Sequence, residues 1–261
     1  MLKTKMKTIS AILSALVLAL CCILLTSCGK NDLSQEATYN KNVNYSETVS
    51  AEESQTVIDA VLEKVAKQDE GALASYRFTM KSKDAEGKDQ IYANMIVKDK
   101  ELMTQFDTPI NKSLTSIKNG VAYMYNKDLK TETETKMKFD MSSAESALSS
   151  YIKQASSSLA QAQAQLTGVL AQLKEVIKVN CTVTKNGNNF KFAFENEESG
   201  NVAIIMQLDK DKNINAIHAE ATAKDNSTME FTFSAFNGNI DFPNLDDYKD
   251  FDINALKDLL K

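Results

Sequence analysis

The sequence predicts an α+β fold: a single large, curved antiparallel sheet of about eleven strands, a half-barrel, with a long helical insert packed on its concave face. Two stretches, Tyr76 to Phe139 and Val179 to Ala235, alternate apolar and polar residues and are broken by tight turns. Between them, apolar residues step by four and three from Leu148 to Val176, the narrow stripe of a long helix. A sheet must bury its apolar face on something, and a helix between two strand blocks is the available cover. Sheets of this size curl, and a curled sheet under a helix leaves a hollow.

Composition narrows the function. The 261 residues carry 30 Lys and Arg against 35 Asp and Glu, and three of the lysines precede Cys28, where there are no acids. A negative body lacks the basic footprint of nucleic-acid binding, so no nucleic acid is expected as a partner. One Arg (Arg77), one His (His218) and no Trp exclude chemistry that needs clustered His or Arg. At 43% hydrophobic and 25% charged the chain is ordinary globular protein, long enough to bury one sizeable core.

The N-terminal segment reads as an address. Lys3, Lys5 and Lys7 precede an apolar run from Ile9 to Leu25, interrupted only by Ser10 and Ser14, which is the layout of a secretory signal peptide over residues 1–27. Leu25-Thr26-Ser27-Cys28 resembles the bacterial lipobox. The resemblance implies that Cys28 is acylated and becomes the first residue of the mature protein. Two or more acyl chains on one Cys hold firmly where one would not. Cys21 and Cys22 leave with the apolar run, so Cys181 remains alone and no internal disulfide is expected. It reads as a small buried hydrophobe. Residues 28–49 are polar, without a sustained period, and read as the lipidated Cys plus a flexible tether.

The domain is expected over residues 50–261. Ser50-Ala-Glu-Glu53 is a capping box. Val57, Ile58, Val61, Leu62 and Val65 behind it predict a helix over 51–68. Strands are expected at 76–81, 89–97, 102–106, 113–117, 121–126 and 131–139, with Asn119-Gly120 as the strongest hairpin signal. Ser142-Ser-Ala-Glu145 caps the insert, about 143–178. Its flanking positions are Ser, Gln and Ala rather than charge pairs, which favours packing on the domain's own sheet over a coiled-coil partner. Strands resume at 179–183, 190–194, 202–208, 214–223 and 229–235, and a short helix is expected at 254–260.

This order and texture resemble the LolA/LolB-like lipoprotein-carrier fold, which includes the LppX/LprG lipoproteins and the sensor RseB. The resemblance spans roughly residues 51–252: a helix leading into YRFTMKSK, the hairpin QIYANMIVKDKELMTQF, the segment IKNGVAYMYNKDLKTET, helices, a second strand group, and the tail FTFSAFNGNIDFPNLDDYKDF. It implies an open barrel with an apolar cavity for acyl chains. The candidate cavity residues are Phe78, Met80, Met95, Tyr123, Tyr125, Phe190, Phe192, Phe194, Ile204, Met206, Phe231 and Phe233 on strands, and Leu159 and Leu166 on the insert. Met suits adaptable apolar pockets. The same side chains would also fill an ordinary core.

The expected function is therefore an extracytoplasmic, membrane-anchored lipoprotein that binds or locally transfers a lipid, without catalysis or cofactor. The alternative is a ligand-free sensor that meets an envelope protein through the long helix or the acidic tail (Asp241, Asp246, Asp247, Asp250, Asp252). His218 stands mid-strand without a second His, which argues against zinc or catalysis. Asp209, Asp211, Asn213 and Glu220 match positions 1, 3, 5 and 12 of a calcium loop, but Ile214 stands where that loop needs Gly and a strand precedes it. A polar hairpin turn is the expected role, and no metal is expected.

Overall fold

The computed structural model describes residues 36–67, 75–98, 101–140, 181–196, 200–236 and 238–250. The helix α1 spans Ala51–Lys67. The strands are β1 Glu47–Thr48, β2 Ser75–Lys83, β3 Asp89–Lys98, β4 Glu101–Asp107, β5 Asn111–Lys118, β6 Val121–Asp128, β7 Glu134–Asp140, β8 Thr182–Asn186, β9 Asn189–Asn196, β10 Gly200–Leu208, β11 Ile214–Thr222, β12 Thr228–Ala235 and β13 Lys249–Asp250. They form one sheet in the order β1-β8-β9-β10-β11-β12-β2-β3-β4-β5-β6-β7-β13. The two strand blocks join where β12 pairs antiparallel with β2, Phe233 standing opposite Phe78.

This corrects the expected fold class. The molecule is mostly β, and α1 is the one helix among the described residues, so the α+β assignment does not hold. The sheet has thirteen strands and is mixed, because β13 runs parallel to β7. It is not a closed barrel, and β1 and β13 lie at opposite edges. Both additional strands have two residues, too short to show a period. They come from the segments before α1 and after β12, which add a short strand to each outer hairpin and thereby cover an edge that would otherwise invite pairing. The signal peptide, Cys28, the insert at 143–178 with Leu159 and Leu166, and the helix at 254–260 lie outside the described residues.

Local chemistry explains the elements that were foreseen. The Ser50 Oγ accepts from the Glu53 N–H (3.1 Å), so Ser50 caps α1, while the Glu53 carboxylate accepts from Lys185 Nζ (2.6 Å). Asn119 and Gly120 have φ of 51° and 76°, the two left-handed positions a two-residue hairpin needs between β5 and β6.

Register places the two faces. On the first, Val183, Phe192, Ile204, Ala219, Phe231, Met80 and Ala93 stand in line across seven strands. Beside them runs a second line: Phe190, Met206, Ile217, Phe233, Phe78 and Met95. Ile58 and Val57 of α1 pack on the β8–β11 part of this face.

The opposite face carries polar residues in its centre, and two straps cross it. Residues 36–49, which the sequence reads as tether, form the first. The Ala37 N–H donates to Thr79 Oγ1 (2.7 Å) and the Thr38 N–H to Ser234 Oγ (3.3 Å). Gln207 accepts from the Asn40 N–H and donates to the Asn40 carbonyl, both at 2.8 Å. The second strap, after β12, buries Phe236 and Ile240 on Ile96, Met103 and Leu114. It continues past Lys118, whose ammonium lies 4.9 Å from the Phe242 ring centre, to Tyr248, which meets Tyr123 edge-on at 5.7 Å. There Asp247 pairs with Lys136.

Candidate functional site

The sheet presents two surfaces with the makings of a site. The first is the apolar face. Of the sequence-predicted cavity residues, Phe78, Met80, Met95, Phe190, Phe192, Phe194, Ile204, Met206, Phe231 and Phe233 all lie on it. Tyr123 and Tyr125 do not. Leu114 faces Tyr125 and Ser116 faces Tyr123 across β5 and β6, which puts both tyrosines on the strapped face. Period-two alternation says which residues of a strand share a side, but not which side faces the core when both carry large residues.

The apolar face changes character at its β4–β5 part. Met95 stands opposite Thr104, and Thr104 opposite Thr115. Both hydroxyl side chains are buried, and Thr115 Oγ1 has no hydrogen-bond partner among the described residues. Beyond them Met124 and Met137 continue the line. The face therefore sets buried aromatic and Met side chains beside hydroxyls, an amphiphilic pattern.

The second surface is a groove of about 470 Å³ on the strapped side, where β2–β5 meet the β2–β3 and β4–β5 turns. Its polar walls are Glu36, Lys81, Lys83, Asp89, Tyr92, Asp107 and Lys112. Lys81 pairs with Glu36 at 2.7 Å and Lys83 with Asp89 at 3.7 Å. Asp107 accepts from Gln105 Nε2 (3.0 Å) and from the Ser113 N–H (3.4 Å). Among the described residues no carboxylate lies within ion-pair distance of Lys112. Sequence reasoning missed this groove, because its members are scattered charges that come together only through strand register. Gln207, a polar residue in the apolar run of β10, signals only that this face receives a strap, at the other end of the sheet from the groove.

The remaining candidates have structural roles. His218 is buried on the strapped face, bonded through Nδ1 to Thr232 Oγ1 (2.8 Å) and stacked on Tyr39 with centroids 4.0 Å apart. Burial lowers its pKa below the ordinary imidazole value, and Lys41 pushes the same way while Glu220 and Glu230 oppose. The native state thus favours neutral His218. Its contribution is fully present above the unfolded value of about 6.5 and is lost as pH falls from there through the native value. We expect the urea midpoint to drop on acidification across about pH 7 to 5.5 by more in the parent chain than in His218→Phe. Equal drops in the two chains would refute this.

Burial pushes the Cys181 thiol up to about 12, leaving it without nucleophilic character at neutral pH. Asp209 accepts from the backbone N–H groups of Asp211 and Asn213 (both 2.8 Å), closing the β10–β11 turn. Asp247 and Asp250 of the acidic tail lie against Lys136 and Lys138 of β7. Among the described residues no three His, Cys, Asp or Glu side chains cluster to hold a metal ion. Neither a protein-family model nor a curated protein matches this chain.

Proposed function

We propose that the protein is an envelope lipoprotein, held on the extracytoplasmic side of a membrane by acyl chains on Cys28, whose apolar sheet face takes up a lipid or another hydrophobic ligand. The observation that carries the reading is the line of Phe, Ile and Met side chains from Phe190 to Met95 on one face, interrupted by the hydroxyls of Thr104 and Thr115 before Met124 and Met137. Such a pattern matches an amphiphile: acyl groups along the aromatic side chains, a polar group at the hydroxyls. Binding would rest on burial, about 0.8 kcal/mol for each CH₂ group, and would need no catalytic group or cofactor. The opposite face supports the reading indirectly. Its apolar side chains Ile96, Met103 and Leu114 are already covered by Phe236 and Ile240 of the second strap.

Two measurements test this. Cys28→Ser should move the chain from the membrane to the aqueous fraction and abolish incorporation of labelled fatty acid. Residues 29–261, purified without detergent, should carry a lipid detectable by native mass spectrometry and organic extraction. Phe231→Asp, at a partly buried position of the face, should release that lipid while thermal unfolding stays cooperative. A clean apo mass with no uptake of offered lipid overturns the ligand reading, and unchanged fractionation of the Cys28 variant overturns the anchor.

A further inference from the structure

Glu36 is the first described residue of the strap that crosses the sheet. Glu36 pairs with Lys81 near the end of β2, at the groove beside the β2–β3 and β4–β5 turns. Glu36 is eight Cα-to-Cα steps from Cys28, a reach of at most about 29 Å. The β10–β11 turn lies at the other end of the sheet, and a nine-residue strand such as β10 is about 30 Å long. An anchor at Cys28 therefore favours one end of the sheet as the end nearest the bilayer.

That end carries the one large hydrophobic side chain that is exposed among the described residues, Ile110, at 53%. A lone exposed Ile is ordinary on a soluble surface. This one is held in place. Thr108 Oγ1 accepts from the N–H groups of Ile110 (3.4 Å) and Asn111 (3.0 Å). The Ile110 carbonyl accepts from the Leu129 N–H (2.9 Å), bracing the β4–β5 turn on the β6–β7 turn. Two residues on stands Lys112, the groove lysine without an ion-pair partner among the described residues, facing Lys127 across β6.

We propose that this end of the sheet rests on the membrane surface, with Ile110 entering the boundary between headgroups and acyl chains and Lys112 engaging lipid phosphates. The inference rests on the reading of Cys28 as the lipid-bearing residue. One apolar side chain and one cation give a weak contact on their own. The anchor makes the contact intramolecular, so a weak surface affinity is enough to orient the domain.

The chain has no Trp, which supplies the experiment. Ile110→Trp introduces a single reporter at the tip. Lys210→Trp introduces one at the exposed β10–β11 turn. Each lipidated full chain is reconstituted into vesicles of phosphatidylethanolamine and phosphatidylglycerol with brominated acyl chains. The Ile110 reporter should shift to the blue and be quenched, the Lys210 reporter should do neither, and adding Lys112→Glu should weaken the quenching at position 110. If both reporters behave alike in vesicle-bound protein, the docking inference is overturned and the anchor stands. If the chain carries no acyl group and stays out of the vesicles, the anchor reading fails and the docking falls with it.

Discussion

Phe192→Ala is expected to cost about 3–5 kcal/mol of folding stability, read as a fall in the urea midpoint at unchanged slope. Phe192 is fully buried, stands between Val183 and Ile204 in register, and stacks near Phe190 at 6.5 Å. Truncation removes the transfer energy of the ring and leaves a hole that neighbouring strands cannot close, because backbone pairing fixes their spacing. The size of the loss also bears on function. A rigid, close-packed face pays the full amount. A loss below about 1.5 kcal/mol would mean that the surface around Phe192 repacks easily, as ordinary cores do only for volume-conserving changes. Adding the lipid recovered from the parent protein should then restore stability to the variant by mass action.

The sequence made the strands and their turns legible because period-two alternation and Asn-Gly pairs act locally. The helix cap at Ser50 and ten of the strand-borne cavity residues followed from the same local rules. Three features did not. The first strap was invisible because its affinity for the sheet lies in backbone groups read by Thr79, Ser234 and Gln207, and no pattern within residues 36–49 reports that. The parallel pairing of β13 depends on the route the second strap takes across the sheet, a property of the whole fold. Tyr123 and Tyr125 were assigned to the cavity because large rings suggest a core. The second strap gives them a covered environment on the other face, where Tyr248 packs on Tyr123 and burial raises the Tyr248 pKa to about 12. The α+β class was overdrawn for a related reason: the described part of the chain spends its apolar residues on strands, and α1 covers only the β8–β11 end.

Gln207→Ala should free the first strap. The Gln207 amide donates to one strap carbonyl and accepts from one strap N–H, and its Nε2 lies 3.3 Å from the Tyr45 hydroxyl. Ala leaves the Asn40 backbone groups without these partners, at a cost of about 2 kcal/mol concentrated in the strap rather than the sheet. Amide hydrogen exchange should therefore speed up at Ala37, Thr38 and Asn40 and stay unchanged in β10 and β11. Unchanged exchange in the strap would show that Thr79, Ser234 and the Tyr39–His218 stack hold it without Gln207. Release has a mechanical consequence. With the strap free to β1 at Glu47, Cys28 is nineteen Cα-to-Cα steps from the sheet contact rather than the eight to Glu36, and the reach grows from about 29 Å to about 68 Å. Reach and effective concentration at the bilayer trade against each other. The same substitution should therefore reduce quenching of a Trp at position 110 in anchored protein, although Gln207 lies far from that turn in sequence and touches no residue of it.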